Sequence, residues 1–406
     1  MSQLNTTLND SRADQLYYDL TINNFQSTSE APQPFYYNET RTIPFIYNPS
    51  DYFLSIIRFT MDSGLAPIFI PSIQPNSEDA NLTIYSVSMT FNDYSQPSGT
   101  EAYTPYVFQQ YVMWENQDES AKVPLPPSEM FNGLQDNSTG YYYCYSYSWW
   151  CYLVYKAYQE CLVGLQLAIT AGGGLNPSAQ YAPIINWDST ANSAIIYADS
   201  SIYDLNVVLP STPVIELYMN APLYAIFGSF PAKYLGYSQL NGLNYRLLIV
   251  DIGGTNSAKI LVPNTDPLLS YFSIQLFQEY STTSAWTPIT AIVFTSNTLP
   301  IQSNQVSTPL VYNNNQILDY AGNNSATANI ITDIVSETGL YAPNLVYNPS
   351  AQYRLISMTG NAPLQNLDLN IFYRLKNGSL SPFFLQSGGA VSMKIAFFKK
   401  STYKGK

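Results

Sequence analysis

The stretch Leu82-Thr83-Ile84-Tyr85-Ser86-Val87-Ser88-Met89-Thr90-Phe91 decides the fold class. Leu82 and Ile84 are apolar, and after one shift of phase so are Val87, Met89 and Phe91, with Ser and Thr between them. A period of two sends alternate side chains to opposite faces of a strand. The same texture returns on both sides in short pieces. Upstream, residues 17–22 alternate, 40–46 carry Pro44 as the mark of an edge or bulge, and 51–59 read as a strand. Residues 65–71 are extended between prolines. Downstream, strands are expected at 182–187, 193–197, 205–209 and 214–218. Further strands are expected near 245–251, 257–262, 270–279, 288–296, 327–335, 352–358, 366–374 and 390–398. Short strands separated by Pro, Asn and Ser are the pattern of an all-β sandwich or barrel.

One segment breaks the pattern. Over residues 152–171, Leu153, Lys156, Ala157, Glu160 and Cys161 fall at helical spacing, and Gly172-Gly173-Gly174 ends the run. A short helix is expected at 222–227, with Pro222 in its first turn. Residues 1–14 read as a flexible polar arm. Residues 15–235 read as an N-terminal β-rich domain carrying a loop-and-helix insertion at about 93–182. The Gly- and Ser-punctuated segment 228–242 reads as the boundary. Residues 243–400 read as a C-terminal β domain with a long loop at 297–324, and 401–406 as a basic tail.

Composition narrows the function. Among 406 residues, 16 are basic and 28 acidic, giving a net charge of −12, and histidine is absent. No histidine means no His-dependent triad, general base or metal ligand. Three cysteines cannot build a four-cysteine zinc site. The acidic balance opposes a broad nucleic-acid surface. Charged residues make up 11% of the chain, against about 25% in an average soluble protein. Polar coverage comes from Asn, Gln, Ser, Thr and 36 tyrosines instead. Such a surface suits a protein covered by neighbouring subunits. The first residues have no basic or apolar segment, so no secretory signal is expected. The most apolar stretch, 149–171, is interrupted by Lys156, Gln159, Glu160 and Gln166, so no membrane span is expected. Cys144, Cys151 and Cys161 read as free thiols of a reducing compartment, with a local disulfide as the alternative.

Several motifs bear on chemistry. Asp251-Ile252-Gly253-Gly254-Thr255-Asn256 matches a phosphate loop of sugar kinases. It reads more simply as a hairpin turn between strands at 245–251 and 258–262, with Gly-Gly supplying positive φ. The carboxylates Asp188, Asp199, Asp204, Glu216, Asp251, Glu279, Asp333 and Asp368 are scattered and single out no acid and nucleophile pair. No catalytic, cofactor or metal residue is nominated, and the protein reads as no enzyme. The aromatic tract 141–150 closes on Trp149 and Trp150. It has two readings, a helix entry packed in the core or a partner-contact surface. Lys394, Lys399, Lys400, Lys404 and Lys406 concentrate charge at the end of the chain. They form either a solvated tail or a contact with nucleic acid or an acidic internal protein.

Residues 51–59 followed by Pro67-Ile68-Phe69-Ile70-Pro71 resemble the N-terminal half of a viral capsid protein. So do 278–289 with 292–296, Asn329-Ile330-Ile331-Thr332-Asp333, and the closing block Tyr353-Arg354-Leu355, 360–364, 367–373 and 394–400. The chain resembles the penton, or minor capsid, proteins of polinton-like viruses, polintons and virophages. The resemblance covers roughly 15–92 and 245–400. It implies a jelly-roll β-sandwich; the length of the chain and its strand count add the expectation of a second β domain or large insertion. It also implies homopentamers at the five-fold vertices of an icosahedral virion, beside a double-jelly-roll major capsid protein. Such a subunit would be made in the host cytoplasm or nucleus, without enzyme activity or cofactor. A double-jelly-roll major capsid protein and a glycan-binding attachment sandwich stay open as alternatives. The partner-contact candidates are Trp149, Trp150, Lys399, Lys400, Lys404 and Lys406.

Overall fold

A computed structural model describes residues 14–24, 33–62, 66–91, 105–119, 121–130, 135–137, 139–174, 176–177, 181–206, 214–250, 258–261, 270–302, 304–306, 310–313, 316–319, 326–335, 344–347, 354–376, 378, 380–385 and 387–402. The chain forms two compact units. In chain order the strands are β1 (Gln15–Asn23), β2 (Tyr36–Thr40) and β3 (Tyr52–Asp62), then β4 (Leu82–Phe91) and β5 (Tyr106–Met113). Helix α1 (Tyr147–Ala171) follows, then β6 (Ile184–Asp188), β7 (Ser193–Asp199), β8 (Ile215–Met219) and helix α2 (Ala221–Ile226). Next come β9 (Ala232–Tyr234), β10 (Tyr245–Leu247), β11 (Ala258–Leu261) and β12 (Ser270–Phe277). The chain closes with β13 (Ile289–Thr295), β14 (Ile330–Ile334), β15 (Asn344–Tyr347), β16 (Asn366–Leu375) and β17 (Ala390–Lys399).

The first unit is built from both ends of the chain, residues 1–67 and 288–406. β1 pairs with β17, β2 with β16, β3 with β15 and β13 with β14, all antiparallel. Within this set the first strand meets the last, the second the last but one, and so inward. That wrapped pairing makes a jelly roll. The sheets run β1-β17-β3-β15 and β14-β13-β16-β2. Alternation sends Val391, Met393, Ile395 and Phe397 of β17 inward, as it does Leu367, Leu369, Ile371 and Tyr373 of β16. Phe59 and Phe294 meet edge to face at 5.0 Å, joining the two layers. Between Arg58 and Ile56 the β3·β17 register shifts by one residue. That bulge resets the phase, so Leu54 and Ile56 before it and Phe59 and Met61 after it are all buried.

Polar clasps fix this sandwich. The Glu39 carboxylate on β2 accepts hydrogen bonds from Tyr18 of β1 and from Tyr37, and Arg41 Nε donates to it at 2.9 Å. Those bonds pull the Glu39 carboxyl from its usual 4.5 to about 2. Asp368 on β16 holds the turn after β13. Its carboxylate accepts from the Ser296 hydroxyl, from Asn297 N at 2.8 Å and from Thr298 N at 2.9 Å. Burial pushes the Asp368 carboxyl up, but these bonds outweigh it and hold the group below its usual range.

The second unit is contiguous, residues 68–287, and lies in the chain between β3 and β13. One sheet runs β9-β10-β8-β4-β5 and another β11-β12-β7-β6. Both contribute to a single core with α1. α1 begins at an N-cap, where Ser146 accepts from Trp149 N, and stops at Gly172. It lies against β5, β4 and β6. The closest approach is at Gly164, where a Cβ atom would sit 2.2 Å from the Phe108 ring.

Several expectations change. The domain boundary at 228–242 is absent. The units divide at 67/68 and 287/288, because the strands before residue 62 pair with strands after residue 343. The expected 245–262 hairpin does not form: β10 pairs with β8 and β9, while β11 pairs with β12. Residues 251–257 lie outside the described residues. The loop-rich stretch 93–145 contains β5, and the expected loop 297–324 contains strands at 304–306, 310–313 and 316–319. Leu205 and Asn206 form a turn, with 207–209 outside the described residues, and among the described residues of 352–358 only Ile356–Ser357 is a strand. The helix begins five residues earlier than expected, at Tyr147.

Ser86, Ser88 and Thr90 of β4 are buried as well, although alternation alone leaves that face to water. The β9–β10 loop covers it. Ser88 Oγ donates to Asn241 O at 2.5 Å. Gly242, at φ +69°, lies where a Cβ would meet Gln109, Ser86 and Ser88 within 2.8–3.0 Å.

Both carboxylate clasps have depressed folded-state values, so each stabilises the fold above the usual carboxylate range. That stabilisation is lost as pH falls through the depressed value. Thermal unfolding midpoints recorded from pH 6 down to pH 2 should therefore drop for the native protein. Glu39→Gln should start lower at pH 6 and show a shallower drop. An unchanged slope in that variant would remove Glu39 from the account.

Candidate assembly surfaces

The aromatic tract before α1 is mostly interior. Tyr141, Tyr142 and Tyr143 are buried. The Tyr141 hydroxyl donates to Asn81 Oδ1 and the Tyr142 hydroxyl to Ala80 O, both at 2.8 Å. Trp150 is 0% exposed and packs on Phe69 at 4.7 Å and on Tyr85 at 5.2 Å. It presents no surface to a partner, because the helix that starts at Tyr147 turns it into the core. Trp149, one residue earlier and about 100° around the helix, is half-buried. Its Nε1 donates to Glu115 O at 2.8 Å, and its ring rests on Tyr152 at 5.4 Å.

The basic residues also divide. Lys400 Nζ donates to Ser50 O at 2.7 Å and to Met358 O at 2.9 Å, and stands 5.4 Å from the Phe53 ring centre. It ties the end of β17 to the turn before β3. Lys399 is half-exposed, and its backbone N–H donates to Asp14 O at 2.9 Å. Lys404 and Lys406 lie outside the described residues. Lys394 faces Asp19 across the β1·β17 ladder, 3.2 Å away, and Arg58 reaches the same carboxylate at 3.0 Å.

Asp188, Asp199, Asp204, Glu216, Asp333 and Asp368 have structural partners, and Asp251 lies outside the described residues. Asp188, Asp199 and Asp204 each accept a backbone N–H two residues on, which shapes a turn. Glu216 is paired with Arg246 at 2.8 Å, and Asp333 with Arg354 at 3.2 Å. Among the described residues no cluster of three or more His, Cys, Asp or Glu side chains could hold a metal ion. No helix among them is long and apolar enough to cross a membrane. Cys144, Cys151 and Cys161 are buried free thiols. Burial pushes Cys144 and Cys161 up to about 12 and Cys151 up as well, so all three stay protonated near neutral pH.

Two exposed apolar surfaces were not singled out by the sequence. The first is a tyrosine stack at the β9–β10 hairpin. Tyr245 of β10 stacks on Tyr224 of α2 with centroids 3.9 Å apart, Tyr234 of β9 lies 5.0 Å from Tyr245, and Tyr237 lies 4.9 Å from Tyr234. Tyr237 is 74% exposed. The loop is held rigidly: Asn244 donates to Gly236 O at 2.8 Å, and Leu235 N donates to Asn244 O at 2.8 Å. The second surface is the outer strip of α1, with Tyr152, Val163 (56% exposed) and Leu167 (65% exposed) on one face. β9 and β5 are the two edges of their sheet; the stack is built on β9 and β10, and α1 packs on β5 and β4.

A family model described as Sputnik minor capsid protein V18/19 matches residues 16–399. The chain is 32% identical over 148 residues to the uncharacterized protein V18 of Sputnik virophage, covering 36% of this chain and 81% of that protein. It is 28% identical over 229 residues to structural protein V19 of the same virophage, covering 54% and 94%. A chain of the cryo-EM structure of the Sputnik virophage has a TM-score of 0.74 at 27% identity, covering 97% of this chain and 99% of that one. The mavirus penton protein shares the fold, with a TM-score of 0.54 at 16% identity, covering 94% and 98%.

Two substitutions test the packing. Gly164→Ala gains roughly 1 kcal/mol of helix propensity, but its methyl group meets the Phe108 ring. A net loss of about 1–2 kcal/mol is expected in denaturant unfolding. Trp150→Ala should cost about 3–5 kcal/mol, whereas Trp149→Ala should cost under about 1.5 kcal/mol. Equal losses at the two tryptophans would contradict the inside-and-outside assignment.

Proposed function

This chain belongs to the Sputnik minor capsid protein V18/19 family, and on that premise we propose that it is a penton subunit. Five copies close a ring at each five-fold vertex of an icosahedral virion, against the major capsid protein of the same particle. The observation that carries the reading is the wrapped strand pairing of the first unit, in a chain matched over nearly its whole length by one from the Sputnik virion. The fold shared with the mavirus penton protein supports the vertex in particular. A ring of five needs a head-to-tail interface made of two different surfaces. Scarce charge and abundant tyrosine suit broad, partly wet contacts between such neighbours.

The role is structural, with no catalytic residue assigned. The protein is made in the host cytoplasm or nucleus and resides in the capsid. Lys399, with Lys404 and Lys406 beyond it, supplies positive charge toward nucleic acid or an acidic internal protein. Lys400 is committed to Ser50 and Met358 and takes no part in that contact.

Light scattering of the purified full chain across ionic strengths tests the reading. A mass near five times 45.4 kDa is expected. A trimer would overturn it in favour of a major capsid protein. A monomer at every concentration would remove ring closure as a property of this chain.

A further inference from the structure

The first unit has an open sheet edge beside a groove. β14 pairs with β13 on one side and, among the described residues, with no strand on the other. A groove of about 570 Å³ lies between residues 330–333 of β14 and residues 354–357. Its charges are already matched. Arg354 donates to Asp333 at 3.2 Å, and Arg374 stands 3.6 Å from the other oxygen of that carboxylate. Ile330 and Ile356 give it an apolar lining, and both are half-buried. An open strand edge beside apolar side chains and paired charges suits an uncharged, extended peptide. The edge pairs with the peptide backbone, and the groove holds alternate side chains.

The chain holds such a peptide within reach. Ser2-Gln3-Leu4-Asn5-Thr6-Thr7-Leu8-Asn9 has no charged side chain. In an extended strand, Leu4, Thr6 and Leu8 fall on one side and Asn5 and Thr7 on the other. The tether that follows starts near the groove. Lys399 N donates to Asp14 O, Lys399 lies opposite Tyr52, and Phe53 lies opposite Ser357. β1, β17, β3 and the short strand Ile356–Ser357 therefore stand in one row at this end of their sheet. Three strand spacings put Asp14 about 14 Å from the lip of the groove. The six steps of extended chain from Asp14 back to Leu8 span about 20 Å. We propose that residues 4–8 lie in this groove of their own subunit and pair with the open edge of β14. A tether this short holds the segment over the groove at an effective concentration on the order of millimolar, which the arm of another copy does not match. The added strand guards an edge that would otherwise template pairing between chains. The contact is intramolecular and does not depend on the penton reading.

Cysteine trapping in the full chain tests the contact, since the three native thiols are buried. Thr6→Cys is combined with Ser357→Cys at the groove, and separately with Thr21→Cys at an exposed position of β1. Thr21 lies about 23 Å along the strand from Asp14, so an undocked arm reaches both sites. Each double variant is checked for an unchanged melting midpoint and oxidised mildly at low protein concentration. The expected result is a fast disulfide within one chain to Ser357→Cys, seen as a shift in gel mobility, and little to Thr21→Cys. Equal yields at the two sites would show an undocked arm and overturn the proposal. Linkage between copies at Ser357→Cys would assign the groove to a neighbour's arm and overturn it as well. Hydrogen exchange gives a readout without cysteines. Leu4→Asp combined with Leu8→Asp should speed exchange of the 330–334 amides about tenfold, while the β17 amides stay protected. Unchanged exchange at 330–334 in that variant would also overturn the proposal.

Discussion

β17 sits between β1 and β3, and the jelly roll depends on that insertion. Its register sets Phe398 opposite Gln15 on one side and opposite Phe53 on the other. Each neighbour comes from more than 300 residues earlier in the chain. The apolar face of β17 is then covered on both flanks, and Met393, Ile395 and Phe397 reach full burial. The β1·β17·β3 ladder also places Asp19, Lys394 and Arg58 in one row on the opposite face, where the single carboxylate pairs with both cations. A slip of one residue would send the apolar set outward and the charged row into the core. The β3 bulge at Ile57 matters for the same reason: without it, Phe59 and Met61 would leave the core.

Given that closure, the polypeptide between β3 and β13 is free to build something separate. It does so around α1, whose buried face packs on β5, β4 and β6. A glycine at 164 brings helix and strand together more closely than any side chain would allow. What this arrangement leaves outside is as specific as what it buries. The helix keeps Val163 and Leu167 in solvent, and the hairpin at the far sheet edge keeps Tyr237 there. Leaving apolar groups exposed at two separate rigid places is costly for an isolated chain and useful for one that meets copies of itself.

Strands were legible wherever alternation was uninterrupted, as over 82–91 and 390–398, and the helix was legible from its spacing and its glycine stop. β5 was not, because Gln109 and Gln110 break the alternation and one of them serves each face: Gln109 donates to Ser86 and Gln110 to Glu160. Domain organisation was misread because punctuation is local while strand pairing is not. Gly228 and Gly236 mark turns within one unit and not a boundary between two. Trp149 and Trp150 look alike in sequence, and only the phase set by the helix start separates them. Lys400 reads as tail charge until the carbonyls of Ser50 and Met358 are placed beside it. The tyrosine stack was invisible for a different reason. Among 36 tyrosines, four at positions 224, 234, 237 and 245 draw no notice until a hairpin and a short helix bring their rings together.

The division of the first unit between the two chain ends sets an order on biosynthesis. Residues 68–287 are contiguous, so the second unit has all its strands as soon as Thr287 leaves the ribosome. β1 and β3 leave earlier, yet their shared partner β17 is translated more than a hundred residues later. At about 5–20 residues per second, these two strands stay unpaired with β17 for several seconds beyond the release of the second unit. During that interval, nascent chains on one messenger expose matching strand edges to each other. The same wrapped connectivity that closes the mature subunit therefore leaves its first unit incomplete until the last strand has been translated.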